Sequence, residues 1–270
     1  MSSNTVTINS RLETIVPFTL PDAIQFDLAS DQGSIYRIQM YQPPVPMPAA
    51  GFPILYLLDG NAMFTTAAQA VALQMRRPQV TGVLPGLVIG IGYPIDGLLD
   101  GERRRHDYTP SSATRARGAE QFFDFIEHRL KPVIAGMTQV DTTRQAIFGH
   151  SLGGLFVLWS LFRRPGAFRS HTAASPSIWW DDRCILVDEK AFLETASPTT
   201  DKSRLLLTAG SLEMTPTPHP ARMSADAQAM ATRLSVSAGD RLDVSFVEFA
   251  GESHASVVPA AISRSVRFAW

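Results

Sequence analysis

From Pro53 to the C-terminus, short and almost unbroken apolar runs alternate with segments of helical periodicity, and that alternation leaves the chain few architectures. The runs are PILYLLD, GLVIGIG, RQAIFGH, SHTAASP, SRLLLTAG and LDVSFVEF. A strand that is apolar on both faces must be covered on both, so the intervening helices are expected on either side of a mostly parallel sheet. Helices are expected near 62–76, over 118–136, through LGGLFVLWSLF, near 186–196, near 222–237 and at the end to about 268. Before Pro53 the pattern differs. Residues 24–29 and 34–42 alternate in polarity around Asp31-Gln32-Gly33, which reads as an antiparallel hairpin joined to the rest by the proline-rich YQPPVPMPAAGFP. The hairpin brings the expected total to eight strands, with an antiparallel edge.

The segment 118–136 carries Phe122, Phe123, Ile126, Leu130, Val133 and Ile134 at helical spacing, with Asp124, His128 and Lys131 expected on its surface. That stripe is core packing. A long polar loop is expected between GLVIGIG and this helix. With 45% hydrophobic residues and no internal repeat, residues 1–270 are expected to form a single domain.

A formal net charge of -1 gives no general attraction to nucleic acid or to an anionic membrane, so no partner of either kind is expected. Nowhere do 18 apolar residues run consecutively, and the opening MSSNTVTINSRLETIVPF lacks a basic segment followed by a long apolar one; a cytoplasmic protein is expected. Cys184 is the only cysteine, which excludes an intrachain disulfide and a thiolate metal cluster, and it reads as a buried small hydrophobe. No histidine has HExxH or other metal spacing, so neither metal nor cofactor is expected. Oligomeric state is left open.

GHSLGG, residues 149–154, joins the RQAIFGH strand to the next helix. In that setting a tight turn lifts the Ser151 hydroxyl above the carboxyl end of the sheet, while the glycines remove side chains that would obstruct it. A serine nucleophile needs a base. His254, directly after the last strand, is the candidate, with His219 in TPTPHP second; His106, His128, His150 and His171 have ordinary structural explanations. The base needs a carboxylate, and Glu213 completes the chain order serine, acid, histidine; Asp181 and Asp182 are the alternatives. The oxyanion needs N–H donors, expected from the Leu152 backbone and from Asn61, which offers its amide beside Gly60.

The strings YLLDGNAMF, GIGYP, RRRHDYTP, GHSLGGLF, SPSIWW, GSLE and GESH, in this order, resemble the putative esterase family of α/β-hydrolases, which includes siderophore esterases, feruloyl esterases and mycolyltransferase antigens. The chain looks most like the trilactone hydrolases that open iron-loaded catecholate siderophores. The resemblance implies an α/β-hydrolase fold and a role in iron acquisition, with Ser151 as nucleophile, His254 as base and Leu152 and Asn61 as oxyanion donors. Glu213 falls where feruloyl-esterase-like members place their acid. Arg104 matches an arginine that lines the substrate cleft, and Trp179 and Trp180 are candidates for an aromatic wall beside it. The expected function is a serine carboxylic-ester hydrolase acting through an acyl-enzyme on a small-molecule ester. Its rivals are an acyltransferase of the same fold, a general acyl or aryl esterase, and a binding protein that has kept the fold.

Overall fold

The structure, a computed structural model, describes residues 18–110, 118–195, 202–217 and 222–270. His219 and the N-terminal stretch considered for a targeting signal, apart from Phe18, lie outside the described residues. Strands β1 (Ala23–Ala29) and β2 (Ile35–Tyr41) form the expected hairpin, with Ala29 opposite Ile35 and Ala23 opposite Tyr41. Gly33 closes its turn at φ 85, a conformation open to glycine at no steric cost.

The remaining strands are β3 (Phe52–Leu58), β4 (Leu87–Gly92), β5 (Val140–His150), β6 (Ser170–Ala174), β7 (Ser203–Gly210) and β8 (Leu242–Phe249). They join one sheet in the order β1-β2-β4-β3-β5-β6-β7-β8; β2 is antiparallel to both neighbours, and the pairs from β4 to β8 are parallel. All seven residues of β3 are buried. Ile54, Tyr56 and Leu58 face one apolar cluster and Leu55 and Leu57 the other, the period-two consequence of a sheet covered on both sides.

One face is covered by α1 (Gly60–Gln74) and α10 (Val258–Phe268), through Phe64, Ala67, Val71, Ile262 and Val266. The other face carries α4 (Gly118–Phe125), α5 (Lys131–Met137), α6 (Leu152–Arg163), α8 (Ile185–Glu194) and α9 (Met223–Ser237). Helix α2 (Pro78–Thr81) and α7 (Trp180–Arg183) are single turns. At roughly 1.5–3 kcal/mol for each large apolar side chain removed from water, these two clusters are the main favourable contribution to folding.

Two expectations are corrected. The region expected as a long polar loop contains α3 (Gly101–Tyr108). Asp100 caps it, its carboxylate accepting from the Arg103 N–H at 3.0 Å. GERRRHDY has almost no apolar side chain, so its helical period leaves no hydrophobic trace; the residues it buries are Asp107 and Tyr108. Second, Lys131 is turned inward rather than lying on the surface: it donates to the Ala167 carbonyl at 2.9 Å and lies 4.3 Å from the centre of the Phe168 ring. A π-helical turn at Ile126–Leu130 precedes it, with the Lys131 N–H donating to the Ile126 carbonyl, and Pro132, which has no N–H to donate, follows.

Strand β3 leads to β4 on one side through α1, while β5 lies on its other side. The connections therefore part beyond the carboxyl ends of β3 and β5, which opens a crevice at that edge of the sheet. The segments that emerge there are Asp59–Asn61 and Ser151–Leu152.

Candidate active site

Ser151 stands between β5 and α6 at φ 61 and ψ -118, a conformation that costs on the order of 1–3 kcal/mol for a residue with a side chain. Packing holds it there. The Ser151 N–H donates to Ala174 at 2.9 Å, and its carbonyl accepts from Leu155 at 3.0 Å and from Ser177 at 3.1 Å. A Cβ on Gly149 would stand 2.2 Å from the Gly153 carbonyl oxygen, and one on Gly154 would stand 2.8 Å from that of Ala174, so the elbow closes only with glycine at both positions. The hydroxyl of Ser151 does not cap α6; it lies 3.5 Å from the hydroxyl of Ser177.

Two helices begin at this crevice. The backbone N–H of Leu152, at the start of α6, and that of Asn61, in the first turn of α1, have no hydrogen-bond partner among the described residues. Both carry the partial positive charge of a helix N-terminus. The side-chain amide of Asn61 is otherwise engaged: Oδ1 accepts from the Tyr93 N–H at 2.9 Å and Nδ2 donates to the Tyr93 carbonyl at 3.0 Å. The amide that Asn61 can offer an oxyanion is therefore its backbone N–H.

His254 follows β8, and its Nδ1 lies 2.5 Å from Oε2 of Glu213, in the loop after β7. The other carboxylate oxygen of Glu213 accepts from the Ser175 hydroxyl at 2.7 Å and from the Gly210 N–H. Burial would raise the pKa of this carboxyl, but the hydrogen bonds from His254, Gly210 and Ser175 outweigh burial and hold it below the ordinary carboxylate range. Asp181 and Asp182 are exposed at φ 44 and φ 50, and neither is the partner of His254. The ring of His150 packs on that of His254, with centroids 4.5 Å apart. Burial, reinforced by the neighbouring His254, pulls the His150 pKa down to about 3, so the ring stays neutral where an ordinary histidine titrates. The Ser151 hydroxyl is turned toward Ser177 rather than His254; such bonds commonly form only once substrate is bound.

Arg104, on α3, donates from Nε and Nη2 to the two carboxylate oxygens of Asp59 at 2.7 and 3.0 Å. Trp179, at the end of the β6–α7 loop, and Trp180, the first residue of α7, are half-buried, with ring centroids 5.7 Å apart. His106 lies exposed on α3 rather than in a loop; His128 is exposed and His171 is buried in β6. Sequence reasoning missed the roles of Ser175, Ser177 and Asp59. Both serines lie in SPSIWW and Asp59 in YLLDGNAMF, so the strings were visible but their partners, far away in the chain, were not. Among the described residues no group of three or more His, Cys, Asp and Glu side chains could hold a metal ion, and no helix is long and apolar enough to cross a membrane.

Residues 30–248 match the family model described as putative esterase. The chain is 39% identical over 265 residues to the ferri-bacillibactin esterase BesA of Bacillus subtilis, covering 93% of this chain and 91% of that protein. It is 36% identical over 280 residues to the siderophore triacetylfusarinine C esterase of Aspergillus fumigatus, covering 93% and 94% respectively. Among solved structures, the BES protein from Bacillus cereus superposes with a TM-score of 0.86 at 39% identity, over 96% of this chain and 98% of that one.

Proposed function

The chain belongs to the putative esterase family and is a carboxylic-ester hydrolase, and from that premise we propose that it opens the ester bonds of an iron-siderophore trilactone through an acyl-enzyme on Ser151. The observation that carries the mechanism is the hydrogen bond between His254 and the buried carboxylate of Glu213, set beside a serine held in an elbow that only glycines can close.

In this mechanism Glu213 keeps a proton on Nδ1 of His254, leaving Nε2 free to accept the proton of Ser151. The Ser151 oxygen then attacks the ester carbonyl. The backbone N–H groups of Leu152 and Asn61 stabilise the oxyanion, and collapse of the intermediate expels the alcohol, which takes its proton from His254. Water repeats the sequence on the acyl-enzyme, releasing the acid and restoring Ser151. Every step is a proton transfer or an acyl transfer, so the residues named supply the chemistry. Trp179 and Trp180 form an apolar wall for the substrate beside the nucleophile.

The siderophore assignment draws on the relatives, whose names record ferri-bacillibactin and triacetylfusarinine C as substrates. The cytoplasmic placement expected from the sequence belongs to the same proposal, and cell fractionation against compartment markers tests it. Two measurements test the activity. A fluorophosphonate should label Ser151, and Ser151→Ala should abolish labelling and lower turnover by up to about a million-fold; labelling elsewhere sinks the nucleophile assignment. A panel of trilactone siderophores with and without iron, beside simple aryl esters, tests the substrate. Efficient aryl-ester turnover with no trilactone opening removes the siderophore reading and leaves the enzyme class intact.

A further inference from the structure

We infer that Arg104 is a positioning residue that acts through Asp59 on the oxyanion donors, rather than a contact for the charge of the substrate. The inference rests on the Ser151 site proposed above. Asp59 is the residue between β3 and α1, and it sits in the left-handed region at φ 55 and ψ 47 without capping the helix with its side chain. Aspartate tolerates that conformation better than most residues with a side chain, but it is not the ordinary one, and contacts from outside the local chain fix it. Helix α3 does so at two points. The Tyr108 hydroxyl accepts from the Asp59 N–H at 3.2 Å, and Arg104 grips the Asp59 carboxylate with both arms of its planar fork.

The consequence for the donors is direct. The Asp59 carbonyl takes the N–H groups of Ala62 and Met63, which leaves the N–H of Asn61 pointing out of the first turn of α1. The orientation of Asn61 therefore depends on that of Asp59. Charge adds a second effect. A Cβ on Gly153 would stand 3.6 Å from Asp59 Oδ2, so this carboxylate lies against the first turn of α6, the helix whose N–H groups are to receive the oxyanion. An unpaired anion there would oppose the negative charge that develops in the reaction. Arg104 cancels it within a pair whose side chains are 12% and 0% exposed. Its own charge is secure: burial disfavours it, but the field and hydrogen bonds of Asp59 outweigh burial and raise its pKa. The same charge is felt at His150, beside the nucleophile.

The test compares two substrates on purified full-length enzyme: an uncharged p-nitrophenyl ester and an anionic ferric catecholate trilactone. Arg104→Ala should lower kcat about 100-fold on the uncharged ester with KM changed less than about threefold, and should slow fluorophosphonate labelling of Ser151 to a similar extent, the scale of losing one oxyanion donor. Adding Asp59→Asn to Arg104→Ala removes the uncompensated carboxylate and should recover roughly tenfold of both. A substrate-contact role predicts the opposite pattern, a loss confined to the anionic ester, expressed in KM and unaffected by Asp59→Asn; that result overturns the inference. Where Arg104→Ala does not fold, Arg104→Met with Asp59→Asn removes both charges together, and circular dichroism verifies its fold. That variant should stay within about tenfold of wild type on both substrates, and a selective loss on the anionic one again overturns the inference. Failure of Ser151 to label in the wild-type enzyme is a different outcome, which removes the active-site reading itself.

Discussion

Nδ1 of His254 lies 2.5 Å from Oε2 of Glu213, and the two side chains differ sharply in exposure: the carboxylate is 0% exposed and the imidazole 44%. The buried partner is the fixed one, held by Ser175 and Gly210 as well, and the exposed partner is oriented by it. An imidazole arranged this way has one nitrogen committed to the carboxylate and keeps the other for a second partner.

Glu213→Gln should therefore leave the fold intact and lower kcat on the order of ten-thousand-fold, since the amide no longer stabilises the imidazolium. Asp181→Asn and Asp182→Asn, on exposed side chains, should stay within about twofold of wild type. Steady-state kinetics on an aryl ester decides between them, and a crippled Asp181→Asn with an active Glu213→Gln would reverse the assignment.

Asn61→Ala distinguishes the two amides of that residue. The backbone N–H survives the substitution, and what is lost is the side-chain clamp onto the Tyr93 backbone and the Ile95 carbonyl. The expected loss in kcat is about tenfold, short of the roughly 100- to 1,000-fold cost of removing an oxyanion donor. A loss at the upper end of that range would mean that the side chain itself is the donor.

Gly149→Ala should disrupt the elbow, because the new Cβ would stand 2.2 Å from the Gly153 carbonyl oxygen, an atom that cannot move without α6. About 1–3 kcal/mol of destabilisation is expected, with loss of fluorophosphonate labelling. Gly136→Ala is the contrasting case: its position in α5 is open, and alanine should add roughly 0.5–1 kcal/mol of stability. Thermal melts of the two variants should move in opposite directions.

Acid should weaken the fold through two buried histidines. Burial holds His150 and His171 each at a pKa of about 3, against 6.5 for an unperturbed histidine. Below 6.5 the unfolded chain binds protons that the folded protein refuses, so stability falls as pH drops from 6.5 toward 3. At about pH 5 the loss is about 2 kcal/mol per histidine. Urea titrations at about pH 7.5 and about pH 5 measure it, and His171→Leu should reduce the difference by about half. An unchanged difference in that variant would exclude burial of His171 as its source.

Much of this architecture was legible in the chain because it is written in local patterns. Buried strands such as FPILYLL and SRLLLTAG are continuous apolar runs, and the elbow announces itself through Gly149, Gly153 and Gly154 around Ser151. Helix α3 escaped because its burial is achieved by Asp107, Tyr108 and paired arginines, which leave no hydrophobic period to read.

By itself the sequence determined the alternation of strand and helix and the place of the strained serine, since each depends on residues within a few positions of one another, and the order in which serine, acid and histidine follow along the chain, which is read directly from it. Only the tertiary structure decided which carboxylate meets His254, which amide of Asn61 remains available and where Arg104 spends its charge. Those contacts join residues 41, 32 and 45 positions apart. Their geometry is set by the strand order and by the crevice between the ends of β3 and β5, which form only when the whole sheet is assembled.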